Sequence, residues 1–191
     1  MSDPSESQKQ KANRLESPDD TFYDEIARVK KLGIVPPELD VCASVDNSKC
    51  LEFISKEQDA LVTEFLMPSG EPPKTIWCNA PHDIYKLFLQ RIYKQYLKYD
   101  FNAIVFVPTR NARASYWHDI VEPNRIEVNP KGFAFYYPLK GTVYFELDHR
   151  KLIDKKGKIS HAGNAYFVLL FVKKNKIKDF KERLQEVFCS V

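Results

Sequence analysis

Two nearly continuous apolar runs set the strongest constraint on how this chain can fold. They are FNAIVFVPT at 101–109 and NAYFVLLFVKK at 164–174. Runs without regular polar alternation are typical of β-strands that are buried on both faces. Such strands need helices on each side of the sheet, so we expect an α/β domain with three layers.

Three amphipathic segments supply candidate helices. The spacing of apolar residues predicts helices over 19–33, 82–98 and 176–188. The first carries acidic residues near its start, with Asp19, Asp20 or Thr21 as its cap, and lysines near its end. The predicted polar face of the second helix consists of Lys86, Gln90, Lys94 and Gln95.

Shorter apolar runs predict strands at 39–43, 51–54 and 75–79, so that strand and helix alternate in the first two thirds of the chain. The segment 125–147 alternates and turns, which predicts antiparallel strands, whereas 110–123 is interpreted as a polar segment with a bulky patch. The expected fold is therefore α/β, with a mostly parallel sheet and antiparallel strands toward the C-terminus.

Composition bounds the domain organisation and the setting of the protein. Residues 1–19 are polar and aperiodic, which predicts a disordered tail, and 20–191 suit a single domain. No apolar run approaches the ~18 residues of a membrane span. The N-terminus lacks the apolar core of a signal peptide, so we expect a cytoplasmic protein of a host or a virus-infected cell. The sequence does not indicate an oligomeric state.

The cysteines argue against a metal site. Cys42, Cys50, Cys78 and Cys189 show no paired ligand spacing, so no metal is expected and they are interpreted as small, reduced, buried side chains. With six glycines in total, the chain also lacks the glycine-rich motifs that bind nucleotide phosphates. A net charge of +3 is compatible with nucleic acid but does not require it.

Polar residues converge on one edge of the predicted sheet. Asp40, Asp59, Asn79 and Thr109 are expected at or near the carboxyl edge of the sheet, and ligands of open α/β sheets bind beyond that edge. Carboxylates there would suit ribose hydroxyls or an adenine amino group, since both are donors. The plainer explanation is that Asp40 caps a turn and Asp59 caps a helix. The plainer explanation for NAPH at 79–82 is that it marks the start of a helix (helix punctuation), with Asn79 as the N-cap and Pro81 in the first turn.

Three stretches together resemble the phage-type DNA N-6-adenine methyltransferases. They are LDVCASVDNSKC at 39–50, DAL at 59–61 and IWCNAPHDIYKLF at 76–88. Their order and spacing match the family pattern, in which a strand ends in Asn-Pro-Pro-Tyr. The segments 19–33, 103–121, 141–147 and 164–171 are weaker echoes that extend the similarity over most of the chain.

The resemblance implies a Rossmann-like methyltransferase fold that binds S-adenosylmethionine and acts on DNA. Asp40, Cys42 and Ala43 would line the methionine end of the cofactor, and Asn47 would shape that loop. Asp59 would accept a hydrogen bond from the cofactor's adenine amino group. Thr21 lies in the helix that resembles the family's opening Thr-Pro helix, and it is included with the cofactor-binding residues.

The resemblance also implies that Asn79, Ala80, Pro81 and His82 form the catalytic loop. The Asn79 oxygen and the residue 80 carbonyl would accept hydrogen bonds from adenine N6 and aim that nitrogen at the methyl group. A ring at position 82 would stack on the extruded base. Arg110 and Arg113, just past the strand at 101–109, are candidates for contacts with DNA, and the basic segment 149–158 is more simply a solvated loop.

The chain departs from the family pattern at Ala80, His82 and Phe22, where the family has proline, tyrosine and proline. These departures leave two alternatives to methylation of adenine N6 in DNA. One is a weakened or inactive protein that keeps the fold and binds nucleic acid or cofactor. The other is a methyltransferase for a different amine, in RNA or in a small molecule.

Overall fold

The computed structural model describes residues 15–16, 19–81, 83–139, 146–147, 150–151 and 166–188. Within these ranges the chain is a mixed α/β structure around a central six-stranded sheet. A smaller antiparallel sheet joins β1 (Leu15–Glu16), β7 (Glu146–Leu147) and β8 (Arg150–Lys151). The strand β1 lies in the stretch predicted as a tail, of which residues 1–14 and 17–18 are outside the described residues.

The central sheet is mostly parallel. In spatial order its strands are β3 (Glu52–Phe53), β2 (Leu39–Asp40), β4 (Thr75–Cys78), β5 (Asn102–Pro108), β9 (Tyr166–Phe171) and β6 (Ala134–Pro138). The first four are parallel to one another, and β9 is antiparallel to both of its neighbours. The predicted combination of a mostly parallel sheet with antiparallel pairing toward the C-terminus is confirmed.

The helices are α1 (Asp19–Lys31), α2 (Tyr85–Tyr99), α3 (Ser115–Ile120) and α4 (Ile177–Phe188). The first and last agree with the sequence pattern, and Gly33, with a φ of 83°, ends the turn after α1. The predicted start of α2 at His82 is wrong. The helix begins at Tyr85, after a separate turn in which Ile84 N donates a hydrogen bond to Pro81 O at 3.3 Å.

The helix α3 was not predicted from the sequence, in which 110–123 was interpreted as a polar segment with a bulky patch. Tyr116, Trp117 and Ile120 are buried there, and Trp117 Nε1 donates a hydrogen bond to Glu122 Oε1 at 2.8 Å. Six residues are too few to show a helical period, so burial of the aromatic residues decides the conformation. None of the helices in the described ranges combines the length and apolar character needed to cross a bilayer.

The side chains of the central strands alternate between two apolar clusters. On β5, Ala103, Val105 and Val107 face one cluster, and Ile104 and Phe106 face the other. The first cluster packs against α2 and α3, and the second packs against α1 and α4. All seven residues of β5 are buried, as its apolar run predicted, because helices cover both faces of the sheet.

Candidate active site at the carboxyl edge of the sheet

Four parallel strands end at the same edge of the sheet, and each is followed there by a connecting segment. The segments are 41–51 after β2, 54–65 after β3, 79–84 after β4 and 109–114 after β5. The register pairs Asp40 with Trp77 and Cys78 with Val105, so the ends of β2, β4 and β5 are adjacent. The structure therefore brings the predicted site segments to one edge.

Asp40, the last residue of β2, binds the backbone of the 41–51 loop that follows it. Its carboxylate is buried, and it accepts hydrogen bonds from Cys42 N at 3.1 Å and from Lys49 N at 3.0 Å. The bond from Cys42 N, two residues further on, is the one that the turn-cap alternative predicts. Burial raises the pKa of Asp40 to about 6, against the lowering effect of the two backbone bonds.

Other side chains of the same loop also bond to its backbone. Asn47 Oδ1 accepts a hydrogen bond from Ser44 N at 2.7 Å, and Ser48 Oγ donates to Cys50 O at 2.7 Å. Ala43 N donates to Ile54 O at 3.3 Å, which ties the loop to the end of β3. Cys42 and Ala43 are half-buried. The loop is thus internally cross-linked, with two small side chains at its base.

The thiols near this edge are neutral. Burial, followed by the charge of Asp40, raises the pKa of Cys42 and of Cys50 to about 12. The buried Cys78 is shifted upward for the same main reason. In the described part of the chain, no three His, Cys, Asp or Glu side chains are grouped closely enough to hold a metal ion. Cys189 lies outside it.

Asp59 begins a tight turn in the segment after β3. Its φ of 52° is left-handed, which is uncommon for a residue other than glycine. Asp59 Oδ1 accepts a hydrogen bond from Leu61 N at 3.0 Å, and Asp59 O accepts bonds from Val62 N and Thr63 N. The side chain remains exposed. The turn therefore presents a carboxylate at the surface of the edge, in a conformation of the kind found at functional sites.

The sequence analysis missed how α2 holds this turn. Gln95, predicted on the polar face, is buried and accepts a hydrogen bond from Phe65 N at 3.1 Å. Arg91 Nη2 donates to Val62 O at 3.0 Å and to Thr63 O at 2.8 Å. No local signal distinguishes these residues from solvated helix positions, because their partners lie about 30 residues away in the sequence.

Asn79 is not the N-cap of the helix that follows β4. The N-cap of α2 is Ile84, which makes no side-chain capping hydrogen bond. Asn79 lies well before that position and is half-buried, whereas Ala80 is buried. The helix-punctuation explanation of NAPH is therefore wrong for Asn79 and Pro81. His82 lies outside the described residues.

A buried tyrosine, also missed, supports this segment. Tyr85 OH donates to Phe106 O at 2.9 Å, one residue past the last pairing of β4 with β5. Burial raises the pKa of Tyr85, and nearby Cys78, Tyr116 and Tyr166 add to the effect. The hydroxyl is therefore a neutral donor that joins the start of α2 to the end of β5.

The remaining predicted residues flank the edge. Thr21 is half-buried on α1, beside Phe22, whose ring packs edge-on against Trp77 of β4 at 4.8 Å. Arg113 is exposed at the end of the 3₁₀ helix Thr109–Arg113 that follows β5. Arg110 lies in the same 3₁₀ helix, and its side chain is outside the described part. Of the basic segment 149–158, the backbone of Arg150–Lys151 is described.

Comparison with known families gives one result. The family model described as DNA N-6-adenine-methyltransferase (Dam) matches residues 6–179, which is most of the chain. No curated protein shows significant similarity to it. The matched range includes each of the four segments at the carboxyl edge.

Proposed function

The chain belongs to the DNA N-6-adenine-methyltransferase (Dam) family, and from this membership we propose that it transfers methyl groups from S-adenosylmethionine to N6 of adenine in DNA. The family makes it an adenine-specific DNA methyltransferase. The observation that carries the proposal in the structure is the segment Asn79–Pro81. It follows β4 at the carboxyl edge of the sheet, directly beside the loop of β2.

We infer the three-layer Rossmann-like methyltransferase fold from the two apolar clusters. Helices α2 and α3 cover one face of the sheet, and α1 and α4 cover the other. In this fold class, ligands bind beyond the carboxyl ends of the parallel strands. The inferred cofactor site therefore lies over β2 and β3.

The residues at that edge fit S-adenosylmethionine. Asp59 offers an exposed carboxylate as an acceptor for an adenine amino group. The half-buried Cys42 and Ala43 offer small neutral surfaces at the methionine end, and Asp40 and Asn47 hold that loop through its backbone. Thr21, on α1, completes the proposed set. When bound, S-adenosylmethionine supplies the electrophilic methyl group of its sulfonium.

The protein's own chemistry is positioning. We propose that Asn79 Oδ1 and the Ala80 carbonyl accept hydrogen bonds from adenine N6, while Pro81 limits the freedom of that backbone. These bonds draw electron density toward the nitrogen and fix its line of attack. The target base must leave the duplex at a cost of a few kcal/mol, and stacking on His82 would offset part of that cost.

DNA is the partner that this function requires. Arg113 is exposed next to the carboxyl edge, where its guanidinium could bind a phosphate without burial of the charge. Arg110, in the same 3₁₀ helix, is proposed for the same role. In this proposal, contacts with the DNA backbone come from these two arginines.

The test is direct detection of the product. Purified protein should transfer labelled methyl groups from S-adenosylmethionine to DNA, and mass spectrometry of the digested nucleosides should find N6-methyladenine. Single-stranded DNA should be an equal or better substrate, since it largely avoids the cost of base extrusion. Cofactor binding without methyl transfer to DNA, RNA or nucleosides would refute the proposed activity.

A further inference from the structure

A polar stripe on α2, formed by Arg91, Gln95, Lys98 and Tyr99, contacts the segment after β3. Arg91 binds the carbonyls of Val62 and Thr63, and Gln95 accepts the Phe65 N–H. Lys98 Nζ and Tyr99 OH both bond to Glu64 Oε2, at 2.9 Å and 2.5 Å. Four consecutive loop residues, 62–65, are therefore bound by one helix.

The spacing of the stripe explains why one helix can do this. Its members are three or four residues apart, or adjacent at the end, so they share one side of α2. Tyr85, Leu89 and Ile92 face the apolar cluster beneath the sheet. The helix thus packs on the sheet with one side and on the loop with another, so its position determines the position of the loop.

The bound carbonyls belong to the turn that Asp59 begins. Asp59 O accepts hydrogen bonds from Val62 N and Thr63 N, and Arg91 binds the carbonyls of these same two residues. A shift of residues 62 and 63 would therefore move Asp59. Because Asp59 has a left-handed φ, its backbone conformation depends on the surrounding bonds more than that of an ordinary residue.

The same helix begins just after the segment that carries Asn79. Tyr85, its first residue, is joined to β5 by the bond to Phe106 O. One rigid element therefore contacts both the Asn79 segment and the Asp59 turn. We propose that Arg91 and Gln95 are positioning residues that place Asp59 for the adenine end of the cofactor. This inference rests on the proposed function, because it takes Asp59 to bind S-adenosylmethionine.

The first experiment measures cofactor affinity and turnover together. Arg91→Met should weaken S-adenosylmethionine binding about tenfold in calorimetry, since it removes two charge-assisted hydrogen bonds. The KM for cofactor should rise similarly, while kcat at saturating cofactor and the KM for DNA stay within about twofold. Lys94→Ala, an exposed lysine of α2 outside the stripe, is the matched control and should behave as wild type.

A double-mutant cycle tests whether Arg91 acts through Asp59. In an Asp59→Ala background, Arg91→Met should add less than about twofold to the loss of affinity, because the contact it positions is already gone. Fully additive losses would show that Arg91 acts by another route and would overturn the inference. If Arg91 had a merely structural role, its replacement would lower kcat and raise the KM for DNA as well as the KM for cofactor, instead of affecting the cofactor alone.

Folding must be separated from positioning. Arg91 Nε is buried without a hydrogen-bond partner among the described residues, so its removal also relieves an unsatisfied group and should limit the loss of stability. A variant Arg91→Met that shows no cooperative unfolding transition is not properly folded and cannot serve as the test. In that case Glu64→Gln tests the same contact from the loop side, and its affinity for S-adenosylmethionine should be about threefold weaker.

The outcomes distinguish the two proposals. Wild-type protein that fails to bind millimolar S-adenosylmethionine would refute the proposed cofactor and this inference with it. Normal wild-type binding, with Arg91→Met and Glu64→Gln both folded and both within about twofold of wild type, would overturn the positioning role alone.

Discussion

The loops after β2 and β4 lie side by side, and they use their polar side chains differently. In the 41–51 loop, Asp40, Asn47 and Ser48 bond to nearby backbone groups and so fix the path of the chain. In the 79–84 segment, the asparagine and the proline have the spacing of helix punctuation, yet α2 begins later, with Ile84 as its N-cap.

The bonds of the 41–51 loop identify side chains that the fold itself requires. A side chain that satisfies its own loop can be exchanged only at a cost in stability. Asn79 is not the N-cap of α2, and under the proposed function it contacts the target amine. The two asparagines, Asn47 and Asn79, therefore make a natural pair for experiment: one is expected to matter for stability and the other for chemistry.

The largest expected effect is on methyl transfer by Asn79→Ala. Loss of the side-chain acceptor should lower kcat about 100-fold, the usual size of effect when one preorganised bond to the reacting centre is removed. The affinity for S-adenosylmethionine should stay within about twofold, since Asn79 is proposed to contact the target amine. Single-turnover assays with labelled cofactor, together with calorimetry, measure both quantities.

The proposed difference between Asn47 and Asn79 is refuted if Asn79→Ala keeps wild-type turnover. It is also refuted if the variant loses cofactor affinity to the same degree as turnover, because the segment would then belong to the cofactor site. Asn79→Asp keeps an acceptor at the same position and is the matched control for shape.

The next effect is a pH dependence of stability that comes from Asp40. Burial raises its pKa from 3.8 to about 6. Between these values the folded protein binds a proton that the unfolded chain has released, so the stabilisation from Asp40 is full below pH ~4 and is lost as the pH rises through ~6. Relative to Asp40→Asn, the wild-type free energy of unfolding should fall by roughly 3 kcal/mol over this window.

Urea unfolding of both proteins at several pH values between 3.5 and 7 checks this. The difference between the two free energies is the measured quantity, because other titrating groups, such as the buried Glu25 with its raised pKa, are common to both proteins. A difference that stays constant with pH would mean that Asp40 titrates near its ordinary value and that water reaches it.

The smallest expected effect concerns Asn47, the asparagine that bonds to its own loop. Asn47→Ala removes the acceptor for Ser44 N and should lower the free energy of unfolding by about 1 kcal/mol, as loss of a comparable capping bond does. At saturating cofactor, kcat should stay within about twofold. Asn47→Asp, which retains the acceptor, should stay close to wild type in urea unfolding. A large loss of kcat in Asn47→Ala would instead place this side chain at the reacting centre.

Much of the fold could be predicted from the sequence because the signals are local. The apolar run of β5 and the stripe of α4 reveal a strand covered on both faces and an amphipathic helix without reference to other parts of the chain. The helix α3 gives no such signal in six residues, and its conformation follows from burial of Trp117. The start of α2 was misplaced because Asn-x-Pro fits both a helix start and an independent turn.

The segments that form the candidate site could be predicted from the sequence, but the residues that hold those segments in place could not. Asp40, Asp59 and Asn79 follow strands that the sequence reveals, so their common edge could be inferred. The roles of Gln95, Arg91 and Tyr85 depend on contacts with residues distant in sequence, which no periodicity encodes. How Asn79, Ala80, Pro81 and His82 act on a substrate stays a prediction.

The strands of the central sheet differ greatly in length. Two residues pair in each of β2 and β3, against seven in β5 and six in β9. Few ladder bonds hold the β2–β3 side, so it should open locally at a lower free energy than β5 and β9 and exchange its amide hydrogens sooner. A ligand bound over β2 and β3 would close those openings, and so would slow exchange there well before it altered the long strands.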